Sequence, residues 1–132
     1  MKTYESCDSI TIRVGDSAKE NDELTNTSDP KYWWMHVSGY PGAHVIICHD
    51  GEVLPKETKR DAALLAVHHS KTPNMKMIWV DMTRVENVSS MKQKQHGRVT
   101  LNGKIDQLTV FVNREKPRLD RLLKKKYTTI TG

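Results

Sequence analysis

One stretch of this chain has sustained helical spacing, and short β-patterned segments flank it on both sides. From Pro55 to Ser70, the residues Thr58, Ala62, Leu65 and His69 fall at i, i+4, i+7 and i+11, which is one face of a helix. Lys56, Lys59 and Arg60 lie off that face and stay in water. Pro55 suits a first-turn position, where its missing N–H costs nothing. Thr72-Pro73-Asn74 stops the helix, because a residue before proline avoids the α region.

The flanking segments read as strands. Ile10 to Val14 alternates apolar and polar side chains, as a half-buried strand does, and Gly15-Asp16 ends it. Trp33 to Val37 and His44 to Cys48 are a second and third strand, joined through a Tyr40-Pro41-Gly42 turn. Met77 to Val80, continuing towards Thr83, is the next. Arg98 to Leu101 and Gln107 to Val112 flank Asn102-Gly103, a hairpin signal. Residues 1–8 are expected to be a flexible, frayed terminus. Ser17 to Asp29 is expected to be a loop with one helical turn over Ala18 to Asp22. Val85 to Gly97 is expected to be a mobile loop. Arg118 to Lys126 forms a short basic helix with Leu119, Leu122 and Leu123 on one side. The order predicts an α+β fold, a largely antiparallel β-sheet covered on one face by a main α-helix, with a short basic C-terminal helix. Residues 9–113 then form one folded domain, and 114–132 a basic helix and tail.

A chain of 132 residues with 36% apolar side chains supports one modest core. The longest apolar run, Ala62 to Val67, is far short of the ~18–20 residues that cross a bilayer. The first eight residues carry no apolar signal core, so a soluble cytoplasmic protein with no membrane partner is expected. Two cysteines cannot build a disulfide framework, and Cys7 and Cys48 read as reduced thiols, with Cys48 buried in a strand. His49, His68 and Cys48 come nearest to a metal set, but no metal or other cofactor is expected.

Charge is divided unevenly along the chain. Residues 1–66 hold 7 Lys/Arg against 11 Asp/Glu, and residues 67–132 hold 14 against 5. A strongly basic half joined to an acidic one fits either a polyanion-binding face or a solvated surface.

Several segments resemble one family. They are Gly15 with Ala18-Lys19-Glu20-Asn21-Asp22-Glu23-Leu24-Thr25, Trp34-Met35-His36-Val37, and Pro41-Gly42-Ala43-His44-Val45-Ile46. Ala62-Ala63 with His69-Ser70-Lys71, Gly97-Arg98-Val99, and Leu108-Thr109-Val110 follow in the same order. Together they resemble the RNA-binding domain of NFACT proteins, which include factors acting on stalled large ribosomal subunits. The resemblance runs from about Ile10 to Val112, making 9–113 an NFACT-R-like domain. It implies RNA binding, to tRNA or rRNA and through them the ribosome, as in the family's single-domain members. Recruitment of charged tRNA for tailing is not carried over, because the family's other domains do not fit in this length. Two departures stand out. Ala43 replaces the usual Ser of the turn, and Ser89-Ser90 follow Val85-Glu86-Asn87-Val88 where the family often has a Lys pair.

The candidate nucleic-acid site, read from the resemblance together with the chain's own basic residues, comprises Asn21, Trp34, His36, His44, Lys71, Lys92, Lys94, Arg98, Lys124, Lys125 and Lys126. RNA affinity comes largely from phosphate neutralisation, and aromatic stacking and edge hydrogen bonds add selectivity. Lys71, Lys92, Lys94, Arg98 and Lys104 are candidates for a basic rim. Trp34 and His36 share one side of their strand by period 2, and His44, just past the turn, falls beside them. Each position has a plainer reading. Trp34 is either a stacking ring or a core residue, in which case Trp33 is the exposed one. His36 and His44 either touch RNA or fix the turn. Trp79 is expected in the core. Lys124 to Lys126 is either a phosphate-attracting run or a solvated tail. Two other functions compete with a binding module. One is an RNA-processing or RNA-modifying enzyme using His36 and His44 as an acid–base pair. The other is an adaptor whose C-terminal leucine face docks a partner helix. No nucleophile motif, phosphate-cradling loop or carboxylate cluster supports the enzyme.

Overall fold

The computed structural model describes residues 1–90 and 99–131, with side chains through Lys124 except that of Ser90. Among the described residues, eight strands and three helices follow in chain order. They are β1 (Lys2–Glu5), β2 (Thr11–Val14), α1 (Ala18–Thr27), β3 (Trp33–Val37), β4 (Val45–Ile47) and α2 (Lys56–His68). Then come β5 (Met77–Arg84), a 3-10 turn over Val85–Asn87, β6 (Val88–Ser90), β7 (Val99–Leu101), β8 (Asp106–Phe111) and α3 (Lys116–Thr131). Six strands form one antiparallel sheet in the order β1-β2-β4-β3-β5-β8, and β6 pairs with β7 in a separate ribbon. The α+β class and the antiparallel sheet therefore stand as read from the sequence.

Strand alternation gives this sheet two different faces. Ile12, Val14, Met35, Val37, Val45, Ile47, Ile78, Val80, Met82 and Val110 point to one side and pack under α2 and α3. Ala62 to Val67 of α2 and Leu122 of α3 close that core. On the other side, Leu24 of α1, Trp34, Ile46 and Val85 form a smaller cluster, onto which Val88, Val99 and Leu101 of the β6–β7 ribbon pack. The sheet is thus covered on both sides, by α2 and α3 on one and in part by α1 and the ribbon on the other.

Several expectations are corrected. The N-terminus is not frayed, because β1 pairs with β2 and Tyr4 is buried with its hydroxyl 2.8 Å from His69 Nε2. Residues just after β1 latch onto the start of α2. Asp61 Oδ2 accepts from Cys7 N at 3.0 Å, and Asp8 Oδ2 accepts from Thr58 Oγ1 at 2.7 Å. The expected single turn near Ala18 is a ten-residue helix. Ser17 caps it by accepting from Glu20 N, and Glu20 Oε1 accepts in return from Asp16 N at 2.8 Å. Val85 to Ser90 is ordered as a 3-10 turn and a strand rather than a mobile loop, and 91–97 lies outside the described residues.

The Asn102-Gly103 hairpin also does not form as expected. β7 pairs with β6, and β8 pairs with β5. Gly103 does take φ +71, so the turn chemistry holds, but it links strands of two different sheets. Cys48 lies just beyond β4 and is half-buried. Burial pushes its thiol up, with Arg13 opposing.

The C-terminal leucines are not free for a partner. Leu119, Leu122 and Leu123 pack on the chain's own core. Ion pairs hold α3 to α2. Arg118 bridges Glu57 and the fully buried Asp61, each at 2.7 Å, and Arg121 also reaches Asp61. Burial pulls the Arg118 guanidinium down, but Glu57, Asp61 and Glu115 outweigh this and hold it above the ordinary arginine range.

Candidate nucleic-acid interface

The turn after β3 brings four parts of the chain to one point. Asn21 of α1 donates from Nδ2 to Gly42 O at 3.3 Å and accepts at Oδ1 from His44 N at 3.1 Å. Gly42 bridges to Ser70, just past α2, and Lys71 N donates to Pro41 O at 3.0 Å. Ser70 is fixed in turn by donating to Ala66 O. Glycine is required here by space. A Cβ on Gly42 would overlap Ser70 Oγ and lie 2.5 Å from Ser70 Cβ. One on Gly15 would overlap Asn21 Oδ1 and lie 3.1 Å from Asn21 Cγ.

Behind this turn sit three aromatic rings on the α1 side of the sheet. Trp34 and His36 stack at 5.8 Å between centroids with 8° between planes. His44 meets Trp34 edge-on at 5.3 Å and His36 edge-on at 5.6 Å. His44 Nδ1 is 2.8 Å from Thr25 Oγ1. Burial holds the His36 imidazole below its usual range, with the Val37 and Gly42 backbone and the Asp81 carboxylate acting the other way. His36 is therefore neutral at pH 7, suited to hydrogen bonding rather than to charge pairing.

Only part of the expected site is available to a ligand. Trp34 is 1% exposed and His44 0%, so neither presents a ring face to a base. Leu24, Ile46 and Val85 pack around Trp34, while Asn21 and Thr25 of α1 bond to the His44 residue. Asn21 is buried as well, and its amide holds the turn. His36 is the part-exposed member of the ring set, and Lys71 is exposed beside Pro41. With His44 sealed and bonded to Thr25, the acid–base pair lacks one accessible partner. Trp33 is part-exposed under the Arg84 guanidinium, 3.8 Å from its centroid.

Lys124 is exposed on α3, in the layer across the sheet from His36, so it does not join this site. Lys92, Lys94 and Arg98 lie outside the described residues, as do the side chains of Lys125 and Lys126. Lys104 is exposed, and its carbonyl accepts from Thr83 Oγ1 at 2.8 Å. Among the described residues, no group of three or more His, Cys, Asp or Glu is placed to hold a metal ion.

Sequence reasoning missed the position of Trp79. It is 45% exposed rather than core, because Ile78, Val80 and Met82 take the α2 side of β5. That three-residue alternation was the available signal.

The family described as NFACT protein RNA binding domain matches residues 1–106. The chain belongs to this family. It is 32% identical over 127 residues to Rqc2 homolog RqcH of Bacillus subtilis (strain 168), covering 96% of this chain and 21% of that protein. It is 36% identical over 93 residues to Rqc2 homolog RqcH of Streptococcus suis (strain 05ZYH33), covering 70% of this chain and 17% of that one. Among solved structures, the C-terminal part of the fibronectin/fibrinogen-binding protein from Streptococcus suis superposes with a TM-score of 0.80 at 29% identity. That match covers 92% of this chain and 48% of the other. The chain thus spans about a fifth of the length of the curated relatives it matches. This family is an RNA-binding one by description, and residues 1–106 include the Pro41–His44 turn that Asn21 braces.

Proposed function

We propose that this NFACT RNA-binding domain grips structured RNA, tRNA or rRNA, in translation or ribosome-associated quality control in the cytoplasm. The observation that carries this reading is the family match over residues 1–106. The geometry supports it with a braced turn: the His36 imidazole bonds to the Gly42 backbone, and the exposed Lys71 donates its backbone N–H to Pro41 O in the same turn. Lys92, Lys94 and Arg98 fall in sequence between β6 and β7, whose ribbon packs on the same side of the sheet as His36. The buried rings, Trp34 and His44, brace the contact residue rather than make contact themselves. Among the described residues, no helix is long and apolar enough to cross a membrane. RNA is bound, not processed, in this reading.

The test measures binding of the intact chain to a tRNA and to an rRNA fragment by fluorescence anisotropy across a salt series. Affinity that falls steeply as salt rises, with the RNA recovered whole, is expected. Cleaved or modified RNA lost in His36→Ala would move the assignment to an enzyme. Absence of salt-dependent binding to either RNA would end the RNA reading. Crosslinking in cells, followed by sequencing of the attached RNA, then identifies the ligand.

A further inference from the structure

The α1 side of the sheet is capped over β4, the start of β3 and the end of β5 at Thr83, whereas among the described residues Trp79 of β5 and Phe111 of β8 stay exposed on it. Both are large aromatic side chains, Trp79 at 45% and Phe111 at 43% exposure. Burying such rings is what ordinarily drives them inward, so two together on one open surface mark a contact surface. The register fixes their relation. Trp79 pairs with Thr109 and Met77 pairs with Phe111, so the two rings belong to diagonal neighbours on adjacent strands, roughly 7–8 Å apart. That span suits two successive unstacked bases.

The surroundings suit a nucleic acid more than an apolar protein surface. The Arg114 guanidinium lies over the Phe111 ring, 4.8 Å from its centroid, and Lys76 is exposed where β5 begins. On the other flank, the next row across the sheet is polar. His36 pairs with Asp81, and Asp81 pairs with Gln107. Gln107 Nε2 reaches Asp81 Oδ1 at 3.3 Å and Ser38 Oγ at 3.4 Å, both long enough to yield to a ligand. A path runs from His36 through Asp81 and Gln107 to Trp79, and then to Phe111 and Arg114. It offers hydrogen-bonding groups first, ring faces next and a cation last. Stacking rings beside cations are how single-stranded nucleic acid is held.

We infer that this open half-sheet is a stacking platform for two consecutive unpaired bases of the bound RNA, one on Trp79 and one on Phe111, with Arg114 at the adjoining phosphate. The inference rests on the RNA-binding reading and extends it from a structured backbone to an unpaired segment.

The test uses the full chain with two probes, a labelled ten-nucleotide oligouridine and a blunt RNA duplex. Wild type, Trp79→Ala, Trp79→Phe and Phe111→Ala are compared, with thermal melts to confirm folding. Both positions are exposed, so folding should be kept. Loss of one stacked base should weaken oligouridine binding about tenfold in each alanine variant. Trp79→Phe should keep most of the affinity, and duplex binding should be unchanged. Oligouridine should also quench tryptophan fluorescence in wild type, with the quench lost in Trp79→Phe. Unchanged oligouridine affinity in both alanine variants overturns the platform, while duplex binding in the same experiment leaves the RNA reading intact. If wild type binds neither probe nor the tRNA and rRNA above, both ideas fall together. If ultracentrifugation shows self-association that Trp79→Ala abolishes while oligouridine affinity holds, the surface belongs to a second copy and the inference is wrong.

Discussion

The two faces of the six-stranded sheet are stabilised in different ways. Beneath α2 and α3 the sheet's own face is aliphatic, closed by side chains such as Leu65, Val80 and Ile47, and its buried polar groups, Asp61 and Thr58 of α2, sit at the margin where Arg118 and the residues after β1 meet them. On the α1 side, position matters more than hydrophobicity. Gly42 must be glycine for Ser70 to approach, Asn21 must present both ends of its amide, and His44 must meet Thr25. The aliphatic face supplies the stability of the fold. The α1 face spends buried polar groups on holding one turn in one geometry, which is what a contact surface needs. Polar groups buried in this way are tolerated because they are paired, and truncating one leaves its partner unsatisfied.

The largest expected effect is on the aliphatic face. Leu65 is fully buried, and Leu65→Ala removes methyl groups from a closed core, at a cost of about 2–5 kcal/mol in urea unfolding. RNA affinity measured below the melting temperature should stay at the wild-type level. If it falls as well, the faces are not separable and the comparison fails.

Gly42→Ala should cost less stability but more function. Forcing a methyl against Ser70 costs about 1–3 kcal/mol, and the displaced turn carries His36 and Lys71 off their geometry. Gly39→Ala is the control. Gly39 has φ +81 and nothing near its missing Cβ, so alanine there strains the backbone by about 1–2 kcal/mol without pushing a neighbour. RNA affinity should drop in Gly42→Ala and hold in Gly39→Ala at matched fraction folded. Equal losses in the two would show that the turn matters only for stability.

The same contrast explains how much the sequence disclosed. The aliphatic face was legible because its rules are periodic. Ile12 and Val14, Met35 and Val37, and the face of α2 all repeat at the spacing of their element. Parity also put Trp34 and His36 on one side, and the turn brought His44 beside them. Which rings would be sealed was not legible, because that depends on α1, whose buried side chains are Asn21, Leu24 and Thr25. Two of these three are polar, so hydrophobic periodicity overlooks the helix, although Ser17-Ala18-Lys19-Glu20 carries the capping signature of its start. β1 escaped notice for a similar reason, since Tyr4 is its single buried side chain in four residues. The pairing of β7 with β6 rather than β8 is a long-range choice that no local turn residue encodes.

A smaller effect is expected at Lys71. Its side chain is exposed, so Lys71→Ala should leave stability within about 0.5 kcal/mol of wild type. It should weaken every RNA to a similar degree and lower the slope of log affinity against log salt by about one. Lys124→Ala, on the layer across the sheet, should leave that slope unchanged. If Lys124→Ala has the larger effect, the RNA path crosses the α3 side and the assignment of faces is reversed.

The smallest effect is in the pH dependence of His36. Its folded-state value lies below the ordinary histidine range because burial disfavours the imidazolium, whereas the unfolded chain titrates near 6.5. Between those two values the unfolded state binds more protons, so stability rises with pH across that window and is level above about 6.5. His68 is lowered in the same direction by burial, with Lys2 adding to it, so wild type alone cannot isolate the His36 share. Comparison with His36→Gln does. Denaturation midpoints from pH 7.5 down to 5 should fall less steeply in the variant, and a side-chain NMR titration should place His36 below the unfolded value. An imidazole that titrates above about 6.5 would mean that His36 carries charge when it meets RNA. The α1 face would then attract phosphate through this residue, and its buried polar groups would be there to position a cation instead of a neutral ring.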